Sequence, residues 1–402
     1  MLAKTPERSP RKHLDFLDGV RGLAAVYVVL HHAILTVPEP DQSSALEWMI
    51  RRAGGLGHYS VDVFIVLSGY CLMLPQLKSD KLDVLQFLKR RALRILPSYY
   101  AAGAIALVLI HTLIGTPSGS HWDLTFPVTR RDLVTHLLLI HDWFPDSAAK
   151  INHVFWSIGV EWKIYFLFPL LLLLRRRIGA APMAFFAMLA SYALWSVCAA
   201  FGILNPGPWG SSFYYIGLFA MGMLAADWAE QGKLPKWLHS RAQIVAAVSS
   251  LTVAMLAMAS FSHNRIPLQL QSGLVGLWTV TLLIALRSES LPQMARFPFI
   301  NSASLWLGRQ AYSLYLIHAP LLHIVYWYWI RHVESSMWRL LLMITFGMAA
   351  TLLMLPVFFA LAERPFHQLS RRVKARPVRR YDNDASKEVI LGKTELEGRA
   401  AL

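Results

Sequence analysis

The first apolar stretch of the chain, residues 15–32, carries an arginine and a histidine at a spacing that suits joint chemistry. Arg21 and His32 are eleven residues apart, so on an α-helix they share one face and lie roughly 16 Å apart along the axis. A neutral imidazole accepts a proton from a hydroxyl and returns it, whereas a guanidinium stabilises phosphate or developing negative charge. Packing against a neighbouring helix is the alternative for the histidine, but its phase with Arg21 favours catalysis. His31 lies about 100° away around the helix and is interpreted as a packing or entry-side group.

Further ionisable groups extend this chemistry. Asp18 precedes Arg21 by three residues, so an ion pair between them would orient the guanidinium. Arg90, Arg91 and Arg94 stand at the start of another apolar stretch. Such a cluster suits a phosphate-bearing ligand because guanidinium groups bind phosphate through two hydrogen bonds, although anchoring at a membrane surface is the ordinary role of each single residue.

Glu161 and Lys163 lie in one apolar stretch and point about 200° apart on a helix, so they do not form a simple ion pair on one face. We expect Glu161 to face the interior. Helix–helix hydrogen bonding is the default interpretation for Ser313 and His318. The candidates for residues that line a site are Asp18, Asp62, Ser68, Trp156, Ser157, Tyr165, Ser313 and His318. Cys71 and Cys198 lie in apolar runs and predict buried thiols, so no metal site is expected.

The composition indicates how such residues are held. The chain has 402 residues, of which 55% are hydrophobic and 16% are charged, and its mean hydropathy is +0.42. This is too apolar for a soluble domain of this length and predicts an all-α integral membrane protein. The 39 Lys and Arg against 24 Asp and Glu are therefore interpreted as a topology signal, and no nucleic-acid partner is expected.

Runs of roughly twenty apolar residues predict about ten membrane spans. They lie near residues 16–37, 59–77, 95–114, 154–174, 180–201, 211–227, 242–261, 269–286, 305–329 and 338–361. The apolar piece at 133–144 is too short to cross and contains His136, His141 and Asp142, so it is interpreted as a re-entrant or interfacial segment.

The basic residues set the expected orientation. With the N-terminus inside, the inside segments hold 28 Lys and Arg and the outside segments hold 8, which places both termini in the cytoplasm. Residues 1–15 then form a cytoplasmic N-terminal segment, and residues 16–370 form the transmembrane domain. The tail, residues 371–402, is basic and then polar; it is expected to contact anionic headgroups and to be disordered.

Together these stretches resemble the membrane acyltransferase-3 family, the bacterial O-acyltransferases that modify cell-surface sugars and lipids. The resemblance covers roughly residues 14–370 and depends on five motifs in order. These are Arg21 with His32; Leu67-Ser68-Gly69-Tyr70; Arg90-Arg91-Ala92-Leu93-Arg94-Ile95-Leu96-Pro97 with Tyr99; Trp156-Ser157 with Glu161 and Tyr165; and Ser313-Leu314-Tyr315-Leu316-Ile317-His318.

The resemblance implies transfer of an acyl group, acetyl first, from cytosolic acyl-CoA to a hydroxyl of a carbohydrate or glycolipid in the bacterial inner membrane. It implies His32, Arg21 and Glu161 as catalytic residues, with Arg90, Arg91, Arg94 and Tyr99 at the donor. Acyl-CoA would be a co-substrate, and no tightly bound cofactor is expected. His32 would act as a general base or as a covalent acyl carrier.

Some relatives add an extracytoplasmic hydrolase-like domain after the tenth span. A family member without such a domain is expected to complete the transfer in its membrane domain or to pass its product to a separate protein, and this is our expectation for this chain. A secondary transporter or lipid flippase would also contain ten spans with buried charges, and a non-catalytic assembly partner in an envelope complex is a third hypothesis. Neither the acceptor nor the oligomeric state follows from the sequence.

Overall fold

The computed structural model describes residues 14–79, 81–205, 213–232, 234–261 and 267–373, together with Gly210. The regular secondary structure of these residues is all helical, and no strand occurs among them. Most of the N-terminal segment and nearly all of the tail considered above lie outside the described residues.

Seventeen α-helices are numbered here in chain order. They are α1 (Asp15–Thr36), α2 (Ala45–Gly55), α3 (Ser60–Gln76), α4 (Val84–Thr112), α5 (Arg130–Leu137), α6 (Pro145–Ala148), α7 (Trp156–Ile178), α8 (Ala180–Phe201), α9 (Tyr214–Gln231), α10 (Arg241–Phe261), α11 (Leu268–Arg287), α12 (Gln293–Ile300), α13 (Ser302–Arg309), α14 (Ala311–Val325), α15 (Ser336–Leu342), α16 (Met348–Phe358) and α17 (Arg364–Arg372). Wider π-helical turns at Tyr326–Ile330, Met343–Gly347 and Phe359–Glu363 continue the last helices.

Among the described residues, seven helical stretches are long and apolar enough to cross a membrane. They are Asp15–Thr36, Ala45–Gln76, Val84–Thr112, Trp156–Ile178, Ala180–Phe201, Leu268–Arg287 and Ser336–Arg372. Each of the ten predicted spans overlaps a helix. The chain is therefore a multi-pass helical membrane protein.

Three predicted segments differ in detail from the structure. The segment 305–329 is not one helix, because the backbone leaves the helical conformation at Gln310 between α13 and α14. The segment 95–114 begins eleven residues earlier, at Val84, since the arginine cluster continues the same helix. The segment 133–144 forms the eight-residue α5 and a short turn, and its apolar side chains at Leu133, Leu137 and Leu138 are exposed, as suits an interfacial element.

Helix α1 lies against α3, α12, α13 and α14, and small residues allow the closest of these contacts. A Cβ atom added to Gly308 of α13 would lie 1.8 Å from the carbonyl oxygen of Asp18, and one added to Gly22 would lie 2.3 Å from that of Ser304. Glycine at such crossings lets helix backbones approach. This contact holds the N-terminal half of α1, with Arg21, against α13.

We expect Gly308→Ala to destabilise the protein by about 1–3 kcal/mol, because the added methyl group forces α1 and α13 apart. Gly103→Ala is the matched control, since its Cβ atom would make only an ordinary 3.7 Å contact with Phe155. Thermal unfolding in detergent measures both. Equal melting temperatures for the two variants would contradict the close crossing.

Candidate functional site

One end of α1 borders a cavity of about 620 Å³ that is rich in arginine. The cavity lies between α1, α3, α4, α7, α13, α14 and α17. Its polar and charged lining side chains are Asp18, Arg21, Ser68, Cys71, Arg91, Arg94, Ser157, Glu161, Tyr165, Arg309, Tyr312, Tyr315, Arg364, His367, Gln368 and Arg371. Six arginines face two carboxylates there, so the cavity suits an anionic ligand.

Arg21 is held in place on two sides. Its guanidinium donates to Asp18 at 2.7 Å, as the spacing of three residues predicts, and to the Sγ atom of Cys71 at 3.3 Å. Both partners line the cavity. Asp18 and Cys71 thus fix the direction in which the Arg21 charge points.

The C-terminal helix α17 supplies part of the cavity wall. Ser98 of α4 donates to the carbonyl oxygen of Ala362 at 2.9 Å, and the Ser313 hydroxyl donates to the buried carboxylate of Glu363 at 2.5 Å. These bonds tie the turn before α17 to α4 and α14. As a result Arg364 and Arg371 face the cavity beside the arginines of α4.

Glu161 faces the cavity, and a tyrosine of its own helix holds it. The Tyr165 hydroxyl donates to the Glu161 carboxylate at 2.5 Å and lies 3.5 Å from the Ser68 hydroxyl. Arg91 lies over the ring of Tyr165, 5.7 Å from its centroid. Glu161 is therefore part of the arginine-lined cavity, whereas the hydrogen bond that orients His32 comes from another residue.

His32 lies in the other half of α1, outside the cavity, within a cluster of imidazole rings. The rings of His31, His318 and His153 lie 4.9 Å, 4.9 Å and 5.0 Å from it, and that of His121 lies at 6.1 Å. His31 is buried, and its Nδ1 atom lies 2.9 Å from the carbonyl oxygen of Gly54. His31 therefore joins α1 to the end of α2, which agrees with a packing role.

The hydrogen bonds assign the protons on the two central rings. The Nδ1 atom of His318 lies 3.2 Å from the Leu314 carbonyl oxygen, and that of His32 lies 3.0 Å from the Val28 carbonyl oxygen. A carbonyl oxygen only accepts, so each Nδ1 carries a hydrogen. The Nε2 atom of His318 then accepts from His32 Nδ1 at 3.1 Å. His32 Nε2 is left with its lone pair.

Aromatic side chains separate the two compartments. Tyr315 lines the cavity, and its ring lies 5.7 Å from that of His318 and 6.3 Å from that of Phe64. The Ser157 hydroxyl, which also lines the cavity, is 2.7 Å from the Tyr315 hydroxyl. The cavity therefore ends one ring away from the residue that orients His32.

Several candidate residues do not line the cavity. Arg90 is absent from the lining, although Arg91 and Arg94 belong to it. The Tyr99 hydroxyl pairs with His136 Nδ1 at 3.0 Å, so it contacts the loop after α4 rather than the arginines. Asp62 is buried, and its Oδ2 atom has no hydrogen-bond partner among the described residues.

Trp156 is also buried away from the cavity, with its ring 6.0 Å from that of Tyr215. Its position at the start of α7 therefore gives it a packing contact with α9.

The loop between α4 and α7 is folded around buried polar groups. Burial lowers the pKa of His136 to about 4, so its imidazole is neutral and stacks on that of His141 with centroids 3.8 Å apart. The Asp142 carboxylate accepts from Lys163 of α7 at 2.5 Å. Burial raises the pKa of Asp142, and the ammonium of Lys163 opposes that shift. This ion pair fastens the loop to α7.

Removal of the Lys163 ammonium is expected to destabilise the protein, because the Asp142 side chain is fully buried. We expect Lys163→Met to cost about 2–3 kcal/mol, less than a wholly buried pair because Lys163 is partly exposed. Unfolding free energies in a double-mutant cycle with Asp142→Asn measure this. The double variant should recover part of the loss, and additive losses would show that the pair is not coupled.

Residues that the sequence prediction missed belong to both compartments. Arg309, Arg364, His367 and Arg371 join the cavity, and His121 and His153 join the histidine cluster. The basic residues of α17 resemble ordinary membrane anchors in sequence. The histidine content of the 115–153 loop was the available signal for the cluster, but nothing in the spacing selects two of its histidines.

An arginine-lined cavity and a cluster of histidines thus lie along one helix of a multi-pass membrane protein. The chain matches the acyltransferase-3 family, described as an acyltransferase domain, over residues 14–363. It therefore belongs to this family.

Among curated proteins, the chain is 23% identical over 383 residues to the peptidoglycan O-acetyltransferase OatA of Listeria monocytogenes serovar 1/2a, covering 91% of this chain and 57% of that protein. It is 33% identical over 169 residues to the acyltransferase MdmB of Streptomyces mycarofaciens, covering 41% of each. It is 29% identical over 177 residues to the O-acetyltransferase OatA of Staphylococcus aureus strain NCTC 8325, covering 41% of this chain and 25% of that protein. Each alignment thus covers less than two thirds of the relative. No solved structure gave a significant match.

Proposed function

We propose that the protein transfers an acyl group from acyl-CoA to a hydroxyl of a carbohydrate or glycolipid at the bacterial inner membrane. Acetyl is the first candidate for the acyl group. The observation that carries this proposal is the arginine-lined cavity that ends one ring from the histidine pair of α1 and α14. The family membership and the names of the relatives, which are O-acetyltransferases and an acyltransferase, support the same class of reaction.

The donor is assigned from charge. Coenzyme A carries phosphate groups at one end and its thioester at the end of a long, thin arm. Arg91, Arg94 and Arg364 line a cavity that suits the phosphates, because guanidinium groups bind phosphate oxygens bidentately. The acyl end then extends along Arg21 to the rings of Phe64 and Tyr315, which must separate before it can reach His32. In the proposed ten-span arrangement with both termini in the cytoplasm, the arginine-lined cavity opens to the cytoplasm.

The reaction follows from the proton assignment of His32. Its Nε2 lone pair takes the proton of the acceptor hydroxyl while the oxygen attacks the thioester carbonyl carbon. The carbon–sulfur bond then breaks, and the imidazolium returns the proton to the departing thiolate. His318 accepts a hydrogen bond from the Nδ1 atom of His32 and so holds the His32 ring in position during the whole reaction.

The acceptor is proposed by analogy. Peptidoglycan is named as the substrate of one relative, which makes an envelope glycan the first acceptor class to test. The loops at 38–58 and 115–153 are the proposed acceptor contacts, since the second of them holds the histidines next to His32.

Mass spectrometry of envelope glycans tests this function. A deletion strain is complemented with the wild-type chain or with His32→Ala, and the two glycan populations are compared. We expect an alkali-labile ester that returns only with the wild-type chain. Equal ester content in both complemented strains would overturn the assignment of His32, and accumulation of an unmodified substrate across the membrane would favour a flippase.

A further inference from the structure

Three histidines that are far apart in sequence have their rings close together. They are His32 of α1, His121 of the short turn His121–Thr125 and His153 of the loop before α7. One ring nitrogen of each lies within 4.8 Å of the others, and the rings of His121 and His153 are 4.6 Å apart.

The protonation of these rings suits coordination. His32 keeps its Nε2 lone pair because its Nδ1 hydrogen is engaged by Val28 and His318. His153 is 8% exposed, and both of its ring nitrogens lack a hydrogen-bond partner within the described part of the chain. A buried polar group without a partner is unusual and calls for a ligand.

We propose that His32, His121 and His153 bind a divalent transition-metal ion, with Zn²⁺ the best fit. Three neutral imidazoles with an open fourth position are a common zinc ligand set. Zinc–nitrogen bonds of about 2.0–2.1 Å place tetrahedral ligand nitrogens roughly 3.3 Å apart, so the ring nitrogens must move closer together by roughly 1.5 Å at most. His121 is half-buried at the start of the short turn His121–Thr125, so we assign most of this movement to its side chain.

The surroundings of His32 match those of a metal ligand. Metal-bound histidines almost always donate their second ring N–H to a neighbouring group, which fixes the ring orientation. His32 does so through Nδ1 toward Val28 and His318. His318 thus positions the lone pair for either a metal ion or a proton.

A bound metal ion would affect the rate of acyl transfer, and this expectation rests on the proposed function. One lone pair on His32 Nε2 cannot hold a metal ion and accept a proton at the same time. Bound Zn²⁺ should therefore slow acyl transfer, and a chelator should restore the rate.

Equilibrium dialysis with mass-spectrometric metal analysis tests the site directly. The purified full chain, carrying no polyhistidine tag, is stripped with EDTA and equilibrated with Zn²⁺. We expect one Zn²⁺ per chain for the wild type and for His332→Ala, which removes an exposed histidine outside the cluster. His121→Ala and His153→Ala should each bind at least about tenfold more weakly, since loss of even an outer-shell partner costs that much.

Two separate variants are used in case one of them fails to fold. His121 lies on a half-exposed turn, so His121→Ala remains informative where His153→Ala fails to give a monodisperse protein. A tetrahedral Co²⁺ absorption spectrum that is present in the wild type and absent in His121→Ala adds a direct signature of the geometry. Zn²⁺ binding that is absent from the wild type, or unchanged in both variants, overturns the site.

The activity assay separates the two proposals. Inhibition by Zn²⁺ that EDTA reverses supports the site together with the base role of His32. A stripped protein that needs Zn²⁺ for acyl transfer supports the site and overturns the base role. Absence of acyl transfer under all conditions overturns the proposed function, while the Zn²⁺ stoichiometry still decides the metal site.

Discussion

Acyl transfer is expected to fall by about 10²–10⁴-fold when His32 is replaced by alanine. We expect this loss because the Nε2 atom of His32 is the proposed base, and the hydrogen bonds of Nδ1 leave that atom unprotonated. The rate of transfer from labelled acetyl-CoA to an envelope glycan acceptor in membranes measures the effect. The protein amount must be matched by immunoblot, since a folding defect would lower the rate as well.

The neighbouring histidine provides the control for this prediction. His31 is one residue away in the same helix, but its Nδ1 atom faces the carbonyl oxygen of Gly54. His31→Ala should leave the rate within about threefold of the wild type, since it removes one packing hydrogen bond worth roughly 0.5–1.5 kcal/mol of stability. Equal losses in His31→Ala and His32→Ala would show that the cluster acts through structure alone.

The Michaelis constant for the donor is expected to rise by about 10–100-fold in Arg94→Gln. A hydrogen bond to a charged group contributes roughly 1.5–3 kcal/mol, and each 1.4 kcal/mol is a tenfold change in affinity. Arg94 lines the cavity that we propose for the donor, so the variant should weaken donor binding, and kcat should change much less than KM. Initial rates over a range of acetyl-CoA concentrations separate the two constants.

Arg90→Gln is the matched control for the donor site. It removes the same charge from the same helix at a position outside the cavity lining. We expect its KM for acetyl-CoA to stay within about threefold of the wild type. A rise equal to that of Arg94→Gln would show that the arginines act through the general surface charge, and salt should then suppress both effects alike.

The sequence by itself determined the features that depend on the geometry of a single helix. Hydrophobic runs of span length predicted the helical membrane architecture, because an apolar helix of this length satisfies its own backbone hydrogen bonds in lipid. The i,i+3 spacing predicted the contact between Asp18 and Arg21, which the structure contains at 2.7 Å. Both predictions depend only on helix geometry, which neighbouring elements hardly alter.

The tertiary structure alone decided which helices meet. It separates Tyr99 from the arginines that precede it in the same helix, and it brings α17 against α4 through Ser98 and Ala362. It also breaks the predicted segment 305–329 at Gln310, where α13 packs on α1 through Gly308. Helix periodicity fixes the direction of a side chain on its own helix but carries no information about the partner.

The histidine cluster shows the same limit most clearly. His32 and His318 are 286 residues apart in the sequence. His121 and His153 lie in a segment whose apolar residues show no helical periodicity. Neither their contact nor the direction of the His32 lone pair follows from spacing, because both depend on carbonyl groups and rings that only packing brings within hydrogen-bond distance. The sequence selected His32 as the candidate base, and the fold determined which side chains lie next to it.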